Sequence, residues 1–389
     1  MPVSATLAAN DAIARRRAQG LPVVPLGFGE AGLPVHPLLA KALSDAAGFA
    51  GYGPVAGIPA LRDAAAGYWS RRGLPTEASQ VVAAPGSKPL LWAILGARGG
   101  GVALPRPSWV SYAAQSAMHG LPVVRVRSVG GVPDPVELDA VAREGRLSTV
   151  VVTLPDNPTG RLAPPPVIRE LCEVAERHDL LIVSDEIYRD LTEMELLSPA
   201  SVVPHRVVVT SGLSKSLALG GWRLGVARFG DDALRDAVID MASEVWSAPA
   251  QPVQHAAALA FSEPPALVER VAQSRNLHLR VGAAVAALFD TPPPDGAFYL
   301  YPHVPGFDTD RQVAEHLLAS NGVVVLPGSE FGDDPAACRI RVATSLLYGD
   351  TDAQKLAALT SDTPESLPWI AAHLATLAAA LHPGEFAHK

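Results

Sequence analysis

Ser211-Gly212-Leu213-Ser214-Lys215-Ser216, with Arg223 eight residues downstream and Asp185 thirty upstream, is the stretch from which the rest of the chain can be read. Lys215 is one of five lysines in 389 residues. A lysine amine forms a Schiff base with a carbonyl cofactor, an arginine forks onto a phosphate, and an aspartate keeps a pyridine nitrogen protonated. The triplet therefore asks for a phosphorylated pyridine that carries a carbonyl group. Ser-x-x-Lys alone is common, and a lone lysine is more often a solvated surface residue. Here Leu219-Gly220-Gly221-Trp222-Arg223-Leu224-Gly225 packs three glycines around one arginine, which suits close approach of backbone to a bound group.

Upstream, Leu180-Leu181-Ile182-Val183-Ser184-Asp185-Glu186-Ile187-Tyr188 reads as a buried strand ending in acids. In an open α/β sheet, ligands bind beyond the carboxyl ends of the strands, so Asp185 falls at the crevice. Thr149 to Leu154 runs into Pro155-Asp156-Asn157-Pro158-Thr159-Gly160, a turn that can also aim the Asn157 side chain. Further short β-branched runs at 81–83, 102–104, 123–126 and 206–210 alternate with helical patterns at 60–72, 88–95, 166–178 and 233–242. Such alternation predicts an α/β fold with a mostly parallel, seven-stranded-type sheet covered by helices.

This large domain is expected over residues 48–275. A helical stretch from Pro265 to Phe289 leads to the turn cluster Thr291-Pro292-Pro293-Pro294-Asp295-Gly296. Strands at 297–300, 323–326 and 338–343, with a helix at 311–320, predict a small α+β domain over 276–389. Residues 1–47 have few strand partners of their own and are expected to pack on it.

Composition bounds the function. A formal net charge of −8, with no basic stripe, argues against nucleic acid as a partner. The longest apolar runs are strand-length, so no membrane span is expected. In Met1 to Arg17 the arginines follow the alanines, the reverse of an export leader. Cys172 and Cys338 are too few for a disulfide framework, and the histidines show no ligand spacing, so a cytoplasmic enzyme without a metal is expected. Gly27-Phe28-Gly29-Glu30-Ala31-Gly32 fits G-x-G-x-x-G, but Leu33-Pro34-Val35-His36-Pro37 cannot open the helix that a dinucleotide site requires.

Asn157-Pro158-Thr159-Gly160, Ser184-Asp185-Glu186-Ile187-Tyr188, and Ser214-Lys215 through Gly225 together resemble the signature of the class I/II aminotransferases, in the right order and over nearly the whole chain. The resemblance implies the aspartate aminotransferase-like fold, a homodimer, and pyridoxal 5'-phosphate as cofactor. It implies transfer of an amino group between an amino acid and a 2-oxo acid by a ping-pong route. Lys215 would carry the cofactor and act as base, Asp185 would hold its ring nitrogen, and Asn157 and Tyr188 would donate to its phenolic oxygen.

Gly86, Ser87 and Lys88, ahead of a helix, would hold the phosphate with Ser214, Arg223 and Ser211. Tyr52, in Gly51-Tyr52-Gly53-Pro54-Val55-Ala56-Gly57, resembles the family tyrosine that reaches the phosphate of the neighbouring subunit. Trp109, after Pro107-Ser108, would stack on the ring. On the substrate side, Gly29 would lie over the substrate together with Asn157, and Arg339 would fork onto the α-carboxylate. Arg341 faces the same way by strand alternation and is read either as a substrate contact or as an edge-strand charge.

Side-chain preference would rest on residues such as Phe28, Glu30, Trp246, His255 or Arg341. The same constellation serves lyases, cyclases and replacement enzymes, which stay open as an alternative at this point. A cofactor-sensing regulator would need a basic helix-turn-helix ahead of Tyr52, and no such pattern is present.

Overall fold

The computed structural model describes residues 5–381. Its centre is a sheet of eight strands: β1 (Val81–Ala84), β2 (Gly101–Arg106), β3 (Val123–Val129), β4 (Val132–Pro133), β5 (Leu147–Thr153), β6 (Leu181–Asp185), β7 (Val207–Gly212) and β8 (Gly225–Phe229). Their spatial order is β1-β8-β7-β6-β5-β2-β3-β4. From β7 across to β3 the neighbours are parallel. β8 runs antiparallel between β1 and β7, and the two-residue β4 adds an antiparallel edge to the expected seven strands.

The β-branched runs form strands because both faces of the sheet are covered. Val150 and Val152 enter one hydrophobic core while Val151 enters the other. Val207 and Val209 are likewise separated from Val208. This is the two-residue period of a strand expressed as two cores. Helices Pro59–Ser70, Pro165–Arg177 and Gln251–Phe261 cover the first face, and Ser87–Arg98, Val110–Met118 and Asp232–Val245 the second. The proline-rich composition fits the helices too. Those starting at Pro37, Pro59, Pro135, Pro165 and Pro265 carry proline in the first turn, where a missing N–H costs nothing.

A separate core gathers Val24, Leu26, Leu277, Val281, Leu300, Val313, Ile340 and Leu377. Its strands are Tyr299–Leu300, Leu326–Pro327 and Ile340–Ala343, with Val24–Pro25 paired to Val323–Val324. Helix Pro265–Leu288 serves both cores, with Leu267 in the large one and Leu277 in the small one. Helix Pro37–Asp45 departs from the expectation that residues 1–47 pack on the small domain. Its Leu39 lies in the large core, because the helix packs on Gln251–Phe261. Among the described residues no helix is long and apolar enough to cross a membrane.

Candidate active site

The parallel strands deliver the site from their carboxyl ends, where the crevice of an open α/β sheet lies. β6 ends on Asp185, β7 leads to Ser214 and Lys215, β5 to Asn157, β2 to Trp109, and β1 to Ser87 and Lys88. All of these line one cavity of about 520 Å³, together with Tyr188, Gly29 and Arg223.

Asp185 is buried at the floor. Its carboxylate accepts from Tyr112 Oη at 2.8 Å, Thr210 Oγ1 at 3.2 Å and the Ile187 N–H at 3.4 Å. Burial raises its pKa, while the hydrogen bonds from Tyr112 and Thr210 act against that rise. Lys215 Nζ donates to the Gly29 carbonyl at 2.5 Å. Burial and then the charge of Arg341 bring this amine down to about 8, so at neutral pH far more of it is uncharged than of a surface lysine.

At the other end, Arg223 adopts a left-handed conformation at φ 55° and donates to the Gly220 carbonyl at 2.9 Å. Gly86 lies against its guanidinium at φ 100°, and a Cβ at Gly86 would run into it. Helix Ser87–Arg98 starts there without a side-chain cap, so its first-turn N–H groups are free for an acceptor. Burial lowers the pKa of Lys88, with Arg223 adding to the effect, and its amine sits 5.2 Å from the centre of the Trp109 ring.

The opposite wall comes from the strands of the second core and from the N-terminal segment. Arg341 is 1% exposed and donates through Nη2 to the Gly27 carbonyl at 2.7 Å and through Nη1 to Asn157 Oδ1 at 3.3 Å. Its Nε has no hydrogen-bond partner, and no carboxylate pairs with it among the described residues. A buried guanidinium with a free donor and no counter-charge is a site for an anion. Tyr188 Oη lies 3.5 Å from Asn157 Nδ2 and 2.8 Å from Tyr299 Oη.

Three expected residues stand elsewhere. Arg339 is exposed and donates to the Tyr301 carbonyl at 3.2 Å, outside the cavity. It precedes the strand Ile340–Ala343, and two residues of strand span about 7 Å, so Arg341 takes the cavity position expected of Arg339. Ser211 is buried inside β7, paired with Val226, and does not line the cavity. Thr210 turns its hydroxyl to Asp185, so strand alternation sends Ser211 to the other face. Tyr52 is 97% exposed and outside the cavity of the single chain.

Of the residues weighed for side-chain preference, Phe28, Glu30 and Arg341 face the cavity. His255 instead stacks on Phe49, and Trp246 packs beside the core on the second face of the sheet. Tyr112 and Tyr299 line the cavity without belonging to any quoted motif. Tyr112 lies one helical turn after Trp109, and that spacing could have flagged it.

The fold is that of a known class. The family model for aminotransferase class I and II matches residues 23–346, and the chain belongs to that family. The aspartate aminotransferase of Geobacillus stearothermophilus is 32% identical over 386 residues, covering 91% of this chain and 95% of that protein. The aspartate/prephenate aminotransferase of Thermus thermophilus is 34% identical over 346 residues, covering 85% and 89%. Among solved structures, the aspartate aminotransferase from Thermus thermophilus with maleate has a TM-score of 0.83 at 31% identity, covering 92% of this chain and 96% of that one.

The protein is accordingly an aminotransferase that depends on pyridoxal phosphate. Its cavity fits that cofactor on physical grounds. The glycine cradle at Gly86, the uncapped helix and Arg223 suit a phosphate, the buried Asp185 suits a protonated ring nitrogen, and the desolvated Lys215 suits a carbonyl carbon.

Proposed function

We propose that this chain moves the amino group of an amino acid, held by its α-carboxylate on Arg341, to a 2-oxo acid, and that it does so as a homodimer. The observation that carries the reading is the meeting of Lys215, Asp185, Arg223 and Arg341 around one cavity, with Arg341 on the wall opposite the floor that Asp185 forms.

Arg223, Ser214, Gly86, Ser87 and the N–H of Lys88 would hold the phosphate. Trp109 would cover the ring. Asp185, oriented by Tyr112 and Thr210, would hold the ring nitrogen's proton, and Asn157 and Tyr188 would donate to the phenolic oxygen. When bound, the cofactor supplies an electron sink for charge developing at the substrate Cα. Lys215 removes the Cα proton, a task helped by an amine whose pKa is about 8. Arg341 orients the substrate through its carboxylate, leaving the Cα–H within reach of Lys215.

Tyr52 has 97% of its surface free in the single chain, an exposure that suits a residue working on a partner's phosphate. Mixing a Tyr52→Ala variant with a Lys215→Ala variant tests this arrangement. Hybrid dimers would regain one complete site, whereas a tyrosine acting within its own chain would leave the mixture as inactive as its components.

The reaction itself is tested by offering an amino-acid panel to the cofactor-loaded protein, with and without a 2-oxo acid. Transamination releases an oxo acid and leaves the cofactor as its amine, which only a second oxo acid restores. Ammonia release, or product formation without an acceptor, would replace this reading with elimination or cyclisation.

A further inference from the structure

Tyr299 stands on the small-domain strand Tyr299–Leu300, paired with Ala343 on the strand that carries Arg341. It is 1% exposed. Its hydroxyl reaches across the domain boundary to within 2.8 Å of the Tyr188 hydroxyl, and the two rings meet edge to face at 5.5 Å. Gly29 makes room for this contact, since a Cβ there would run into the Tyr299 hydroxyl. The Arg341 guanidinium lies 5.0 Å from the centre of the same ring.

The donors and acceptors around Tyr188 leave few arrangements. An arginine can only donate, so Asn157 Oδ1, which receives Arg341 Nη1, is the acceptor side of that amide. Asn157 Nδ2 therefore faces Tyr188 Oη, at the outer limit of hydrogen-bond reach, and can only donate to it. Tyr299 Oη has no hydrogen-bond partner other than Tyr188 among the described residues, so its hydrogen is available for Tyr188. With Asn157 and Tyr299 both donating, the single hydrogen of Tyr188 is left to point into the cavity. Without Tyr299, only the longer contact from Asn157 would restrain that hydrogen.

We propose that Tyr299 is a positioning residue: by donating to Tyr188 Oη from the small domain, it aims the Tyr188 hydrogen at the phenolic oxygen of the cofactor. The inference rests on the reading above of Tyr188 as a donor to that oxygen. With the cofactor bound through Lys215, its phenolic oxygen would also attract the proton of the joining nitrogen. A donor aimed at the oxygen would compete for its lone pairs and so favour loss of that proton.

Titrating the visible absorbance band of the pyridoxal-phosphate-loaded protein reads the effect without turnover. In Tyr299→Phe the midpoint should rise by about half a unit to one unit, the range of one hydrogen bond. In a Tyr188→Phe background, Tyr299→Phe should move it no further, because the effect passes through Tyr188. The phenylalanine keeps the ring, and a role in packing alone would lower the melting temperature while leaving the midpoint in place. An unmoved midpoint in the single variant, or an undiminished shift in the double variant, overturns the inference. If the unmutated protein gains no band with pyridoxal phosphate, the cofactor assignment fails, and this inference with it.

Discussion

The floor of the cavity and its opposite wall are built in different ways. Asp185, Asn157, Lys215 and the Gly86 cradle lie at or beyond the ends of strands that point the same way in one sheet, so their positions come from the same carboxyl edge. The wall brings together Arg341 from a short antiparallel strand, Tyr299 from the strand beside it, and the carbonyls of Gly27 and Gly29 from a segment more than 250 residues earlier in the chain. A site residue at the end of a buried parallel strand is fixed by the sheet. One on a two- to four-residue strand is fixed by register, and a slip of two residues there exchanges a buried arginine for an exposed one.

The largest expected effect belongs to the floor. Lys215→Ala should remove the visible band and lower turnover by about 10⁴-fold or more, measured in single-turnover absorbance. A band surviving in that variant would move the catalytic amine elsewhere.

Next comes the wall, where the two arginines can be set against each other. Arg341→Leu should lower kcat/KM for amino-acid donors by about 10²- to 10³-fold, since the α-carboxylate would enter a buried site without its counter-charge. Arg339→Leu should stay within about twofold, as expected for an exposed side chain. A steady-state comparison of the pair decides the register, and the reverse ranking would restore Arg339 to the cavity.

Tyr112→Phe should be milder. It removes one hydrogen bond to a buried carboxylate, and a fall in kcat of about 10- to 100-fold is expected, with KM little changed. A KM effect instead would place Tyr112 in substrate binding.

The smallest effect is a pH midpoint. The neutral amine is the nucleophile, and the pKa of Lys215 is lowered, so capture of pyridoxal phosphate by the cofactor-free protein should speed up with pH and level off near pH 8. Stopped-flow absorbance against pH checks this. Acceleration continuing toward pH 10.5 would mean that the amine titrates as if in water.

The same contrast explains what could be read from the sequence. The floor was legible because its residues sit in contiguous motifs at the ends of long, β-branched, two-face-buried strands, as Leu181–Asp185 does. Arg341 was harder. Arg339 and Arg341 have equal parity, so alternation cannot choose between them, and the choice depends on where the strand begins. Here it begins at Ile340, after Cys338 in a left-handed conformation at φ 46°. Ser211 failed for the converse reason, since its parity differs from that of Thr210 and places it on the far face of β7. Tyr299 left no trace in any motif, because its role depends on Gly29 and Tyr188, each more than 100 residues away.

Helix Pro265–Leu288, shared by the two hydrophobic cores, has a consequence for how the molecule comes apart. Melting the small core alone would break a 24-residue helix in its middle, strip Leu277 and Val281 of their cover and leave the half that carries Leu267 with a frayed end. The two cores are thereby tied into one cooperative unit. On heating, the wall with Arg341 and the floor with Lys215 should be lost in a single calorimetric transition, with no warm intermediate that keeps the cofactor pocket and lacks the carboxylate site.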